Sequence, residues 1–169
     1  VQTDATTRLY GMLQTDAPIT QGSSGGALDD GAGRLVGITT AVGVSEVGIE
    51  GIGFATPIEV VTRVVDELIT NGEAINPFLG IYGGTFSAAT ADGGSAPVGV
   101  EIEAIDADTA AEAAGLNPGD VIAAVDGTPI KTMEELVSLL RRYGAGSAIE
   151  LTLENGTTVP VILGERPDA

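Results

Sequence analysis

Gln21-Gly22-Ser23-Ser24-Gly25-Gly26-Ala27-Leu28 is the stretch on which the reading of this chain turns. A serine acting as a nucleophile needs its oxygen on a tight turn, with backbone N–H groups nearby to stabilise an oxyanion. Glycines on both sides allow so sharp a turn and leave room for a substrate carbonyl. The stretch also satisfies Gly-x-Ser-x-Gly, the pattern of a nucleophile elbow, which requires a strand before the serine and a helix directly after it. Here Ala27-Leu28 runs into Asp29-Asp30-Gly31-Ala32-Gly33 and then into the apolar run Arg34–Ala41, which reads as a hairpin. The elbow reading fails on context. A nucleophile set on a hairpin and a plain Gly/Ser-rich surface loop both remain open from these residues alone.

Working outward, Leu9–Thr15 and Arg34–Ala41 read as buried strands, and Gly51–Ala55 as another short one. Thr56-Pro57-Ile58-Glu59 predicts a helix start, with Thr56 as N-cap, Pro57 at the first helical position and Glu59 closing a capping box. Ile58, Val61, Val65, Leu68 and Ile69 follow at helical spacing, and Gly72 supplies the stop. Residues 71–76 read as a polar linker between a first unit over 1–70 and a second over 77–166, with 167–169 a tail.

The second unit shows strands at Leu79–Phe86, Val98–Ile105, Asp120–Val125, Ala148–Leu153 and Thr158–Leu163. A short helix is expected near Thr109–Ala114, and a longer one at Met133–Tyr143, capped by Thr132 with Glu135 and stopped by Gly144. Ser87–Pro97 reads as a Gly/Ala/Ser-rich loop, and Gly83-Gly84 marks a bulge or a close backbone approach. The class is mainly β with α (α+β).

Composition removes many alternatives. The 169 residues hold 7 basic and 24 acidic side chains, a formal charge of −17, with no histidine and no cysteine. A phosphate-backbone binder needs clustered Lys/Arg and is excluded as a default. Without His, no Ser-His-Asp site is complete within the chain; without Cys, thiol catalysis, disulfides and thiolate metal sites go too. No cofactor and no metal are expected. Nothing spans a bilayer, and Val1-Gln2-Thr3-Asp4 has neither the basic region nor the apolar core of a signal peptide. Since the first residue is not Met, the chain is expected to be an internal piece of a longer protein.

Leu13-Gln14-Thr15-Asp16-Ala17-Pro18-Ile19-Thr20 followed by Gln21 to Leu28 resembles the catalytic-serine block of HtrA/DegP-type serine proteases, of the trypsin-like clan. Val36-Gly37-Ile38-Thr39-Thr40-Ala41 resembles the strand that follows it, and Gly51-Ile52-Gly53-Phe54-Ala55-Thr56-Pro57 resembles the end of that protease domain. The resemblance implies Ser24 as nucleophile and the amides of Gly22 and Ser24 as the oxyanion hole. It sets Ile19 at the base of the primary specificity pocket, with Thr39, Thr40 and Ala41 along its side, pairing with substrate backbone. An apolar Ile19 implies cleavage after small or medium aliphatic residues. The family usually has asparagine before the serine and proline before the first glycine, where this chain has Ser23 and Gln21. Asp4, Asp16, Asp29 and Asp30 match no aspartate motif of the family. The first unit is therefore expected to be a second-lobe remnant of a trypsin-like β-barrel.

Leu116-Asn117-Pro118-Gly119-Asp120-Val121-Ile122, then Val125-Asp126-Gly127, reads first as a turn, a strand and a tight hairpin turn. With Ala113-Ala114-Gly115 before it, the segment resembles a PDZ domain in the permuted arrangement of bacterial HtrA proteins. Phe78-Leu79-Gly80-Ile81 then resembles the carboxylate-binding loop, whose amides around Leu79, Gly80 and Ile81 would hold a peptide C-terminus. Leu136 and Leu140 are candidates for the apolar pocket wall, or for plain core filling.

The resemblance implies a serine endopeptidase of protein quality control in the parent protein. The parent would act on unfolded proteins or peptides with apolar C-termini, usually as a trimer. It would work outside the cytoplasm, whether periplasmic, secreted or membrane-anchored facing outward. The chain alone, lacking the triad His and Asp, is expected to be inactive. A peptide-binding PDZ scaffold attached to an inert protease remnant is the alternative.

Overall fold

The computed structural model describes residues 9–20, 22–42 and 52–166. The chain divides into two compact units, Val1–Ala74 and Ile75–Ala169. Among the described residues, no helix is long and apolar enough to cross a membrane.

Among its described residues the first unit has four strands and a helix: β1 (Leu13–Thr15), β2 (Ala27–Asp29), β3 (Leu35–Val42), β4 (Gly53–Pro57) and α1 (Ile58–Asn71). The sheet is antiparallel in the order β1-β4-β3-β2. The turn between β2 and β3 is fixed by Asp30, whose carboxylate accepts from the amides of Ala32 (2.8 Å) and Arg34 (3.0 Å) and from the Arg34 guanidinium. Those bonds, led by the two from Arg34, hold the Asp30 carboxyl below its usual range.

Two local expectations are corrected in α1. The helix begins at Ile58 with Pro57 in the capping position and no side-chain cap. Thr56 is unavailable as a cap because its hydroxyl bonds Thr40 Oγ1 at 2.8 Å. Nor does the predicted apolar stripe become a buried one. Val60 is the buried residue, while Val65, Leu68 and Ile69 are 44, 48 and 79% exposed. The reason is the size of the sheet: four short strands, which α1 meets at β3 and β4, cover little of a 14-residue helix. Gly72 ends it as expected, its amide returning to Leu68 O at 3.1 Å.

The second unit carries the core. Its strands are β5 (Pro77–Phe78), β6 (Ile81–Ala89), β7 (Ser95–Ile105), β8 (Val121–Val125), β9 (Thr128–Pro129), β10 (Ala148–Leu153), β11 (Thr158–Ile162) and β12 (Gly164–Glu165). Its helices are α2 (Ala110–Ala113) and α3 (Met133–Leu140). The main sheet runs β11-β10-β8-β7-β6, with β9 paired to β8, and β12 pairs β5 separately. Val100, Ile102, Ile122, Val125, Leu136, Leu151 and Leu163 are essentially inaccessible and form one cluster with Leu79 and Leu116. The alternation in β7, with Val100 and Ile102 buried and Glu101 and Glu103 not, is the period-two pattern of a sheet with one covered face.

Most of these elements fall where the sequence places them, with two main differences. Ser87–Pro97 is mainly hairpin, not loop. Ser87 pairs with Pro97, Ala88 with Ala96 and Ala89 with Ser95, and Thr90 and Gly94 close the turn. Small side chains there signalled loop, but cross-strand backbone bonding does not require large ones. Helix α3 has its capping box, Thr132 with Glu135, but ends at Leu140 rather than Tyr143. Arg142 and Tyr143 donate to carbonyls three residues back, a tightened final turn. At Gly83 the ladder shifts register, leaving Glu103 unmatched, and a side chain at Gly83 would strike the Glu101 carbonyl. Gly83 thus combines both roles read from the sequence, bulge and close approach.

Tyr143 donates to Asp126 Oδ2 at 2.7 Å, tying the end of α3 to the Asp126-Gly127 turn. Burial, with that bond second, pushes the phenol up to about 12 from 10.0. The neutral phenol is the form favoured by folding, so this contribution is complete below pH 10 and is lost as pH rises toward 12. Absorbance titration should show one tyrosine ionising near 12, and Asp126→Asn should lower that value.

Candidate functional site

Two places in the chain combine open backbone donors with a built scaffold, one in each unit. The first is the serine loop. Gly22 and Gly25 have φ of +99° and +86°, values that a side chain would strain. Ser23 donates from its amide to Thr20 O (3.0 Å), Gly25 to Thr39 O (2.8 Å) and Gly26 to Ser23 O (3.0 Å). Among the described residues, the amides of Gly22 and Ser24 have no acceptor. The loop therefore spends three amides on its own shape and leaves the two that the family resemblance marks for the oxyanion hole.

Thr39 holds this arrangement. It is the one buried polar residue among those described, at 6% exposure, and its hydroxyl bonds the carbonyl of Ser23. The same oxygen lies 3.2 Å from Gly26 O and 3.1 Å from Gly26 N. In the sequence reading Thr39 lined a pocket; in the structure its side chain is engaged inside the loop, and its amide donates to Gly26 O at 2.9 Å. Ser24 is exposed, and its Oγ lies 3.5 Å from Thr40 O, longer than an ordinary hydroxyl bond. Its hydroxyl is thus accessible and almost unengaged.

The other first-unit candidates lie on the same sheet. Thr40 is exposed and is the unmatched residue of the bulge where β3 meets β4, and Ala41 pairs with Phe54. On its other side β3 is paired with β2 only as far as Ile38, so the edge from Thr40 onward carries no strand among the described residues. Ile19 is half-buried, packed over Gly53, whose missing side chain makes room for it. Gln21 lies outside the described residues.

The second place is the end of β6. Leu79 O accepts from Ala111 N (2.8 Å) and Gly80 O from Asp106 N (2.9 Å), while the amides of Leu79 and Gly80 have no acceptor among the described residues. The Asp106–Gly80 bond makes the neighbouring Ile81–Ile105 pair a non-hydrogen-bonded one, so the Ile81 N–H points away from β7 to the open edge. Three consecutive donors are thereby left at the head of an edge strand, since β6 ends the sheet. Gly80 has φ +86° and sits hard against Thr109, the residue before α2.

Helix α3 borders this strand. The amide of Met133 donates to Thr85 Oγ1 at 3.1 Å, fixing the first residue of α3 beside β6. Of the two predicted wall residues, Leu136 is 1% exposed and belongs to the core, whereas Leu140 is half-buried. Sequence reasoning missed Met133 and Val137. They stand with Leu140 at i, i+4 and i+7 on one stripe, all half-buried, and Val137 is not packed on the core cluster. That spacing was present in the sequence, but nothing there separated the buried Leu136 from the half-buried residues beside it.

Residues 101–155 match the PDZ domain family. The chain is 38% identical over 142 residues to a probable periplasmic serine protease do/HhoA-like of Haemophilus influenzae, covering 83% of this chain and 30% of that protein. It is 34% identical over 163 residues to the serine endoprotease DegS of Escherichia coli, covering 92% of this chain and 46% of that one. Among solved structures, the HtrA-type protease AlgW with tripeptide superposes with a TM-score of 0.60 at 30% identity, covering 94% of this chain and 54% of that one. The chain thus spans about half the length or less of the relatives it matches. Over most of its length the chain is homologous to the HtrA/DegP/DegS serine proteases, as part of that family's longer chain, and it carries a PDZ domain.

Proposed function

We propose that this chain captures peptide C-termini at the head of β6, and that Ser24 is the nucleophile of an HtrA-type endopeptidase whose base lies outside these 169 residues. The observation that carries the first part is the run of amides at Leu79, Gly80 and Ile81, unengaged beside an open strand edge. A terminal carboxylate accepts from such donors, and the preceding residues add to β6 as a further strand. The apolar stripe Met133, Val137 and Leu140 supplies the pocket wall.

For the second part the support is the serine loop, with its two spare amides and exposed hydroxyl. A serine hydroxyl is a weak nucleophile until a neighbouring base takes its proton, and no histidine is present to do so. The chain alone is therefore inert. In the parent, an apolar Ile19 favours small or medium aliphatic residues before the cleaved bond, and the edge at Thr40–Ala41 pairs with substrate backbone. Homologues named as periplasmic support an extracytoplasmic setting for the parent, and the family resemblance implies a homotrimer acting in protein quality control.

Fluorophosphonate labelling read by intact mass tests the serine. No adduct is expected on the chain alone, and strong labelling that disappears in Ser24→Ala would show that a base reaches Ser24 within the fragment. Fluorescence anisotropy tests the groove: a labelled peptide ending in a free apolar residue should bind, and its C-terminal amide should bind at least tenfold more weakly.

A further inference from the structure

The sequence of the captured tail is read on both faces of the added strand. One face meets α3; the other is where the chain departs from a neutral surface. In β6 the side chains alternate, so Ile81, Gly83 and Thr85 share the α3 side, while Tyr82 and Gly84 face the other way. Gly84 is opposite Glu101, which puts the Glu101 side chain on that outer face. Glu103, displaced by the bulge, brings its Oε1 to 3.7 Å from where a Cβ on Gly84 would stand. Neither carboxylate has a basic partner among the described residues, and Tyr82 is 61% exposed beside them.

We infer that the groove selects peptides with lysine or arginine at the fourth residue from the C-terminus. This rests on the carboxylate capture proposed above. With the last residue opposite Ile81, the penultimate lies opposite Tyr82, the third opposite Gly83 and the fourth opposite Gly84. The side chain of that fourth residue therefore lies over Gly84, where no side chain intervenes between it and the two carboxylates. The ligand and β7 backbones are two inter-strand spacings apart, about 9.6 Å, a gap that a long cationic side chain closes by reaching across Gly84 to carboxylates extending from the other side, with its stem beside the Tyr82 ring. An acidic residue at that point meets two like charges. Gly84 is thus the opening through which β7 contributes to recognition, although β7 does not pair with the ligand.

Three fluorescein-labelled octapeptides, identical except for endings Lys-Val-Ala-Leu, Ala-Val-Ala-Leu and Glu-Val-Ala-Leu, test this by anisotropy on the full chain at low salt. The lysine peptide should bind about threefold more tightly than the alanine one, as for exposed ion pairs, and the glutamate peptide a few-fold more weakly. Salt at about 0.5 M should compress the series. Glu101→Gln/Glu103→Gln should bind all three like the alanine peptide, and Glu103→Lys should reverse the order. Equal binding of all three to the unmodified chain, or an order that survives the double substitution, overturns the inference while leaving carboxylate capture intact. If none of the three binds, or amidated versions bind equally well, capture itself fails and the inference falls with it.

Discussion

Gly80→Val should disrupt the proposed capture of peptide C-termini and lower the melting temperature of the second unit. At φ +86° a β-branched residue costs about 1–2 kcal/mol in backbone strain alone. Its Cβ would also enter the space of the Thr109 side chain, which touches that position with Cβ, Oγ1 and Cγ2. Thr109 cannot swing aside freely, because its hydroxyl donates to Asp106 O at 2.7 Å. Overpacking of this kind adds about 1–3 kcal/mol. Any relief must come from the loop, and moving the loop re-aims the amides on either side of Gly80. Peptide affinity should fall at least tenfold by anisotropy. Gly80→Val/Thr109→Gly should recover part of the melting temperature, because it removes every clashing side-chain atom but not the strain at residue 80. Unchanged affinity in Gly80→Val would remove the Leu79–Ile81 segment from the binding site.

The second large effect is expected at Ile102. It is fully buried in β7, between the pairings to β6 and β8, and its amide and carbonyl are bonded to Asp120 O and Gly119 N. Ile102→Ala should cost about 2–5 kcal/mol in chemical denaturation, a large share of what a domain of this size has. Leu68→Ala, at a 48% exposed position on α1, should stay within about 0.5 kcal/mol. Comparable losses at the two sites would contradict the concentration of buried apolar surface in the second unit.

The contrast between those residues also explains what the sequence disclosed. In the second unit, the Ser87–Pro97 hairpin and the last turn of α3 apart, local signals and tertiary packing agree. Thr132 and Glu135 form the predicted cap, Asp126-Gly127 makes the predicted turn, and Val100 and Ile102 alternate with exposed neighbours. In the first unit they part company. Pro57 and Glu59 spell a capped helix start, but Thr56 is recruited across the sheet by Thr40, a contact between residues 16 apart that no local rule contains. The stripe from Val65 to Ile69 was legible as apolar, but its burial depends on a surface that the described strands do not provide. At the site, the residue types around Ser24 and Gly80 were readable, because turns that free backbone donors require glycine. The role of Thr39 was not. Its hydroxyl acts on the loop through long-range contacts, and a threonine in a strand is otherwise unremarkable.

The length of β6 has its own consequence. At about 3.3 Å per residue, its nine residues run for roughly 30 Å, but α3 begins beside Thr85 and packs back over the core, whose nearest β7 member is Val100. Beyond Thr85 a ligand strand would find backbone to pair with and, among the described residues of this unit, no helix above it. Under the proposed capture, the groove would work as a short reader joined to a longer holder. The final residues of a tail are discriminated, and those further back add adhesion that is indifferent to their identity. Extending a ligand strengthens its grip without sharpening its selection, so a long disordered tail and a short one with the same ending differ in residence time far more than in rank.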